Sequence, residues 1–358
     1  MTRTAHHTAP PHDAKAEDPE TVTEVSGVSV DLVVSVVEDT LGETVTKVTC
    51  PGGRDRAIFR VYTDTQSVIA SRRDYANGAK REARILEHLA PLTDHFPQIL
   101  ANRDDILVQT DMGDVTLAQD MRKTDTAGRI DLMDRAISSV FGYQMDIGHP
   151  FPQAEVPVLF EHRKELGYFV DGPWRTAGVF GVRLPNYDRN AVAAHFLPSN
   201  ACFLKWDNRF ANAALSPKGA VGWFDFEDSC LGAGYEDLAW LAADEFPALS
   251  FDKIYPLFDR QIRDYHGIAG DMILRRFHIM TTLLISLRTR RIGRHLSKKG
   301  KWYTLDEIYR SDRVGAHPSM MQALLKRGKA FAALERETKP LVVMFEDIEA
   351  RLAGAKSH

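Results

Sequence analysis

The hydrophobic pattern of this chain changes period about a third of the way along, and that change limits the folds open to it. An amphipathic stretch from Val30 to Leu41 is followed by alternating, β-branched runs. Val45 to Thr49, Ala57 to Thr63 and Ser67 to Ser71 read as strands, with Pro51-Gly-Gly-Arg-Asp-Arg as the turn between the first two. A helix over Ala79 to Leu89 and an extended segment over Ile106 to Gln109 complete this part. Beyond Gly113 the pattern is mostly helical, broken by strand-like patches near Leu204 and Val221. A small antiparallel sheet joined to a larger, mainly helical remainder predicts an α+β fold of two unequal lobes, residues 28–110 and 111–358, behind a tail over 1–27.

Composition fits this without adding much. A chain of 358 residues, 44% of them hydrophobic, can fill two cores with a cleft between them. A net charge of −4 gives no global case for nucleic acid or a membrane surface. Cys50, Cys202 and Cys230 form no Cys-x-x-Cys pair, and their odd number suits a reducing cytoplasm better than a disulfide framework. No run of about 18 apolar residues exists, so no bilayer-spanning helix is expected. The longest candidate, Ile279 to Leu287, carries two threonines and a serine and predicts a buried helix. The first 26 or so residues are rich in Pro, Thr, His and charge, hold no apolar core that could serve as a signal peptide, and read as a disordered tail in which His6, His7 and His12 are solvated.

Three polar residues stand inside the strand-like stretches of the second part. Asp207 and Asn212 lie five positions apart in Leu204-Lys-Trp-Asp-Asn-Arg-Phe-Ala-Asn-Ala-Ala-Leu215, and Asp225 lies thirteen further on in Val221-Gly-Trp-Phe-Asp-Phe-Glu-Asp228. Phosphoryl transfer from ATP asks little of a protein beyond a carboxylate to hold the acceptor hydroxyl and two oxygen ligands, one of them anionic, for magnesium. These positions supply that set. An Asp-x4-Asn pair alone arises by chance in many loops; Asp225 at its distance, with Gly232-Ala-Gly-Tyr-Glu-Asp237-Leu-Ala behind it, makes the combination specific.

On these residues the stretch from roughly Val45 to Phe246 resembles the aminoglycoside phosphotransferase and choline kinase group, small-molecule kinases with a two-lobed, protein-kinase-like fold. The resemblance implies ATP and Mg2+ as cofactors, Asp207 as the catalytic aspartate, and Asn212 and Asp225 as the magnesium ligands. Asp207 would orient or accept the proton of the acceptor hydroxyl, with position counting for more than basicity because the transition state is loose. In the first lobe, Gly52, Gly53 and Arg54 resemble the glycine-containing nucleotide loop, where missing Cβ atoms let backbone amides approach phosphates. Glu82 matches the helix glutamate that steadies a nucleotide-contacting lysine, and it shares the inward face of Ile85, Leu86 and Leu89. Gln109, Thr110 and Met112 resemble the linker whose backbone meets the base.

The chain also departs from that pattern. Where the group has a strand ending in lysine, this sequence has Ser71-Arg72; Arg72 is the substitute phosphate contact, unless strand alternation puts Ser71 toward the cleft and Arg72 away from it. Lys205-Trp206 stands in place of His-Gly, and Ala211 in place of a common glycine. Just upstream, His195 and Asn200 imitate a catalytic loop without its aspartate and are assigned to packing or turns.

Only about a dozen residues separate Asp225 from the helix signal at Tyr235, too few for a protein kinase's activation segment, which favours a small-molecule acceptor seated against the helices from Phe251 onward. The run Arg288 to Tyr303 holds no acidic residue. It reads as a solvated helix end and turn, or as a surface for an anionic or hydroxyl-rich acceptor or an acidic partner, and it argues against a polycationic acceptor. The run, the absent lysine and the strand end also resemble bacterial amino-sugar kinases. Expected partners are therefore ATP and a small hydroxyl compound (sugar, amino sugar or amino alcohol), with no nucleic acid and no membrane. A degenerate, regulatory nucleotide-binding module and an AMP-transferring enzyme of the same fold are the competing readings. The acceptor and the oligomeric state are not legible.

Overall fold

The computed structural model describes residues 24–51, 53, 57–72, 76–148, 156–216, 219–310 and 314–354. A two-residue hairpin, β1 (Glu24–Val25) and β2 (Val28–Ser29), leads into α1 (Val30–Leu41). Ser29 caps that helix by accepting from Leu32 N, and Gly42, at φ 68°, ends it. Then come β3 (Lys47–Thr49), β4 (Ile58–Tyr62), β5 (Ser67–Ser71), α2 (Ala76–Leu89), β6 (Ile99–Arg103) and β7 (Ile106–Thr110). The five strands form one antiparallel sheet in the order β3-β4-β5-β7-β6.

The expected strands and helices of this lobe are present. The sequence reading lacked β6, an edge strand whose Ile-Leu-Ala-Asn-Arg has no alternation and whose pairing with β7 slips between Ile99 and Ala101. The expected tail is also shorter than drawn. Val25 is buried among the core residues of the sheet, so residues 24–27 belong to the folded lobe, while residues 1–23, with their histidines, lie outside the described residues.

The remainder is helical with short strands. It runs α3 (Leu117–Lys123), α4 (Thr126–Ile147), α5 (Arg163–Val170), α6 (Gly172–Phe180), α7 (Arg189–Ala193), β8 (Cys202–Leu204), β9 (Ala213–Leu215), β10 (Val221–Trp223), β11 (Cys230–Gly232), α8 (Tyr235–Ala243), α9 (Phe251–His266), α10 (Gly270–Lys299), α11 (Leu305–Arg310), α12 (Pro318–Leu334) and α13 (Leu341–Gly354). The 30-residue α10 is the axis of this lobe, and its stretch from Phe277 to Arg290 is buried throughout. Gly293 lets α6 close on it, since a Cβ there would sit 2.5 Å from the Phe180 ring. No helix among the described residues is long and apolar enough to cross a membrane.

Two hydrophobic cores result, and α2 belongs to the larger. Ile85, Leu86 and Leu89 cluster with the helical lobe, whereas the sheet packs with α1 through Val33, Val36 and Val37. The helix that follows β5 is therefore anchored in the other lobe. The crossing after β7 is equally tight, because Gly113, at φ 144°, lies against the Leu215 carbonyl where no side chain fits.

Candidate functional site

The loop after β8 is built on a buried carboxylate. Asp237, in the first turn of α8, accepts hydrogen bonds from Lys205 N (2.9 Å), Trp206 N (2.8 Å) and the Tyr143 hydroxyl (2.5 Å). Burial pushes its carboxyl up to about 6 despite these donors. The chain then turns through two non-glycine residues in left-handed conformation, Trp206 at φ 59° and Asp207 at φ 46°. Such conformers cost on the order of 1–3 kcal/mol each and need compensation. Trp206 finds it in edge-to-face packing on Phe169 (5.7 Å between centroids) and Trp240 (5.4 Å). Lys205, wholly buried, turns its ammonium onto the carbonyls of Trp206 (3.3 Å), Asp207 (3.5 Å) and Asp225 (3.1 Å), so one cation joins the two polar loops.

Asp207 sits at the centre. Its carboxylate takes a two-pronged contact from Arg209, Nε to Oδ1 at 2.9 Å and an Nη to Oδ2 at 3.0 Å. The Asn212 amide donates to both its Oδ2 and its carbonyl, each at 3.1 Å. Burial would raise this carboxyl, but the Arg209 charge and hydrogen bond outweigh it and hold it at about 2. β9 and β10 pair as a hairpin, Ala213 opposite Trp223, and deliver Asp225 just beyond, again left-handed at φ 70°. Phe224 N donates to Asn212 O (3.1 Å), which locks the second loop to the first. Asp228 follows, its carboxyl raised by burial and then by the charges of Asp207 and Asp225.

A cavity of about 350 Å³ opens between these loops and the sheet. Asn212 and Asp225 line one end, Ile58, Ile69 and Ser71 the sheet side, and Gln109, Thr110 and Met112 the crossing. Two buried polar atoms on its wall, Ser71 Oγ and Gln109 Oε1, have no hydrogen-bond partner among the described residues. As for magnesium, no three His, Cys, Asp or Glu side chains among the described residues gather into a metal site. Magnesium in a phosphoryl-transfer site needs only one or two protein oxygens, because phosphates and water supply the rest. Asn212 fits that demand: its amide nitrogen is taken by Asp207, leaving the hard oxygen Oδ1 outside those bonds.

A scan against family models and a search of curated proteins found no match. Solved structures do match. An aminoglycoside 2'-phosphotransferase-IIIa superposes with a TM-score of 0.51 at 15% identity, covering 84% of this chain and 98% of that one. The choline kinase LicA from Streptococcus pneumoniae gives 0.44 at 14% identity, over 82% and 98%. This is the aminoglycoside-phosphotransferase fold.

Within the aminoglycoside-phosphotransferase fold, several expected positions need correction. Ser71 faces the cavity and Arg72 does not: alternation turns Arg72 out, where it is exposed and donates to Gly27 O at 3.3 Å. Glu82 is buried as expected, but its carboxylate accepts from Phe226 N (3.1 Å), one residue past Asp225. Neighbouring Arg81 donates to the Ser229 carbonyl, so α2 grips the Asp225 loop twice. Thr110 N–H is already engaged by Gln98 O (2.9 Å), which removes it from the groups open to a base. Gly53, at φ 81°, forms a turn with Cys50, while Gly52 and Arg54 lie outside the described residues.

The solvated-helix reading of the basic run fails for its first half. Arg288 is buried against Glu245, with Nε to Oε2 at 2.8 Å, and Arg290 is buried beneath Tyr168. His195 packs 3.5 Å from Glu337, away from the site, in keeping with its assignment. Sequence reasoning missed Arg209 and Asp228, and took Lys205 only as a departure from the pattern. Arg209 was the more accessible of the two missed, since a cation two residues from a candidate base is a signal in itself.

Proposed function

We propose that the chain is a small-molecule kinase that transfers the γ-phosphoryl group of ATP to a hydroxyl. The placement of Asn212 and Asp225 at one end of a cavity that has unsatisfied polar walls, with Asp207 hydrogen-bonded to Asn212 behind them, carries this reading. Asp207 is the proposed base: ionised across the neutral range, it holds the acceptor hydroxyl and receives its proton as the bond to phosphorus forms. Asn212 Oδ1 and the Asp225 carboxylate are the proposed magnesium ligands. A magnesium ion held by them would offset charge on the phosphate oxygens. Arg209, released from Asp207 by an arriving phosphate, suits its planar fork to phosphate oxygens. Ser71, Gln109 and Met112, with Gly53 at the loop, are proposed to flank the nucleotide, and Glu82 to hold the Asp225 loop in register.

Two further observations support the class of reaction. The neighbour in the 2'-phosphotransferase structure was solved as a GDP complex, which is consistent with a nucleotide in the equivalent cleft. Nine residues separate Asp225 from the start of α8 at Tyr235, leaving no segment that could serve as a peptide platform, so the proposed acceptor is small. The placement of Ser71, rather than the lysine that the resemblance implies at this strand end, on the cavity wall favours a second reading, a nucleotide-binding module without turnover.

Thermal unfolding with ATP, with and without magnesium, on wild type and Asp225→Ala tests the proposal. A stabilisation that requires both magnesium and Asp225 supports it, since only binding to the folded state raises the melting temperature. No shift at millimolar ATP overturns it. A magnesium-dependent shift without ADP release across sugars and amino alcohols moves the assignment to the non-catalytic module.

A further inference from the structure

Next to Asp207, and outside the nucleotide cavity, lies a group of arginines that the proposed reaction leaves unused. Tyr168, on α5, is about 40% exposed and sits between two guanidinium groups, Arg175 at 5.2 Å and Arg290 at 5.0 Å from its ring. Arg290 also donates to its hydroxyl at 2.6 Å. Arg291 and Arg294 extend the group along α10. Adjoining ring contacts, Tyr168 to Phe169 (5.5 Å) and Phe169 to Trp206 (5.7 Å), carry this patch to the residue beside Asp207.

The group's charge is uncompensated. Of the arginines facing this corner, Arg209 is paired with Asp207 and Arg288 with Glu245, while Arg175 lies a loose 3.8 Å from Asp171, which Arg189 also holds. No carboxylate among the described residues reaches Arg290, Arg291 or Arg294 within ion-pair distance, and one terminal nitrogen of Arg290 is buried with no hydrogen-bond partner at all. Desolvation and then the Arg288 charge hold the Arg291 guanidinium below its ordinary value, while Asp207 pulls the other way, so Arg291 stands in the electrostatic reach of the candidate base. Of Arg290, Arg291 and Arg294 only Arg290 is buried, and a buried cation without a carboxylate is expensive unless hydrogen bonds or a ligand complete it.

We infer that Arg175, Arg291 and Arg294, over Tyr168 and with Arg290 beneath, form a subsite for an anionic group on the acceptor. The acceptor is then a hydroxyl compound that also carries a carboxylate or a phosphate. This deepens the proposed kinase reading and rests on it. Arginine forks match both oxyanions, and the exposed Arg291 and Arg294 can meet them without disturbing the core.

ADP release measured with matched acceptors tests the inference: glucose against glucuronate and glucose 6-phosphate, and glycerol against glycerate and glycerol 3-phosphate. The expected result is a kcat/KM at least tenfold higher for an anionic member than for its neutral parent. The double variant Arg291→Ala/Arg294→Ala, both on the helix surface, should raise the acceptor KM at least tenfold, leave the KM for ATP within twofold, and recover in part as Arg291→Lys/Arg294→Lys. A carboxylate preference or a phosphate preference identifies which oxyanion the subsite takes. Equal use of neutral and anionic acceptors, or no turnover of any anionic member while magnesium-ATP still stabilises the protein, overturns the subsite and leaves the kinase reading standing. A rise in the KM for ATP alone assigns these arginines to the nucleotide and also overturns it. Loss of the magnesium-ATP stabilisation itself overturns the kinase reading, and the subsite with it.

Discussion

Asp207 is held ionised by its neighbours, so its substitution should separate binding from chemistry. Asp207→Ala is expected to lower kcat by at least about 100-fold, the low end for loss of a positioned base, while nucleotide affinity stays close to wild type. Equal turnover in the variant would remove Asp207 from the mechanism. Two carboxyls beneath the loop give a pH prediction of opposite character. Burial raises Glu236 to about 7 and Asp237 to about 6, so each binds its proton more tightly folded than unfolded. Their contribution to stability is complete below the unfolded values near 4 and is lost as pH rises through 6 and 7. The melting temperature should therefore fall between about pH 4 and 7, and Glu236→Gln should flatten that fall; an unchanged slope would refute the assignment. At this scale the sequence was most legible where residue type and spacing marked out candidates, as with Asp207, Asn212 and Asp225, which the fold brings together. It was least legible at Arg72 and Ser71, where one step of strand alternation decides which of two adjacent side chains meets the cavity.

Elements couple through the loops they hold. Lys205 joins three carbonyls drawn from both polar loops, and each loop contains left-handed residues that the chain would otherwise relax. Lys205→Met, similar in length but uncharged, is expected to cost about 3 kcal/mol through its lost charge-assisted bonds and to lower kcat as well, read by denaturant unfolding and ADP release. A stable variant with full turnover would show the loops need no such tie. The α2 helix poses the complementary case: Glu82→Ala leaves Phe226 N–H buried without its acceptor, a loss of about 1–3 kcal/mol. Periodicity announced most of these elements. It could not announce what Glu82 contacts, because that depends on α2 packing its Ile85, Leu86 and Leu89 face into the other lobe's core. Nor could it show that Arg288 and Arg290 are interior. A run without acidic residues looks solvated until its partners, Glu245 and Tyr168, arrive from distant elements.

Across the whole molecule, the helical lobe is organised around charge as well as apolar packing. Glu245 and Arg288 are both buried; burial would raise Glu245, but Arg288 outweighs it and holds the carboxyl at about 2. Glu245 also accepts from Gly315 N at 3.0 Å, tying the segment before α12 to the pair. Removing one partner strands the other, so Glu245→Ala should destabilise the protein by about 3–5 kcal/mol, whereas Glu245→Leu/Arg288→Met should cost much less. Additive losses in the double variant would argue against coupling. One last feature, the indole of Trp206, makes this arrangement visible to light. It stacks between α5 and α8 one residue before Asp207, in a chain with five tryptophans. Any occupant that displaces Arg209 or shifts Tyr168 changes the surroundings of that chromophore, so the protein carries its own emission probe, and Trp206→Phe should silence the ligand-dependent part of its fluorescence.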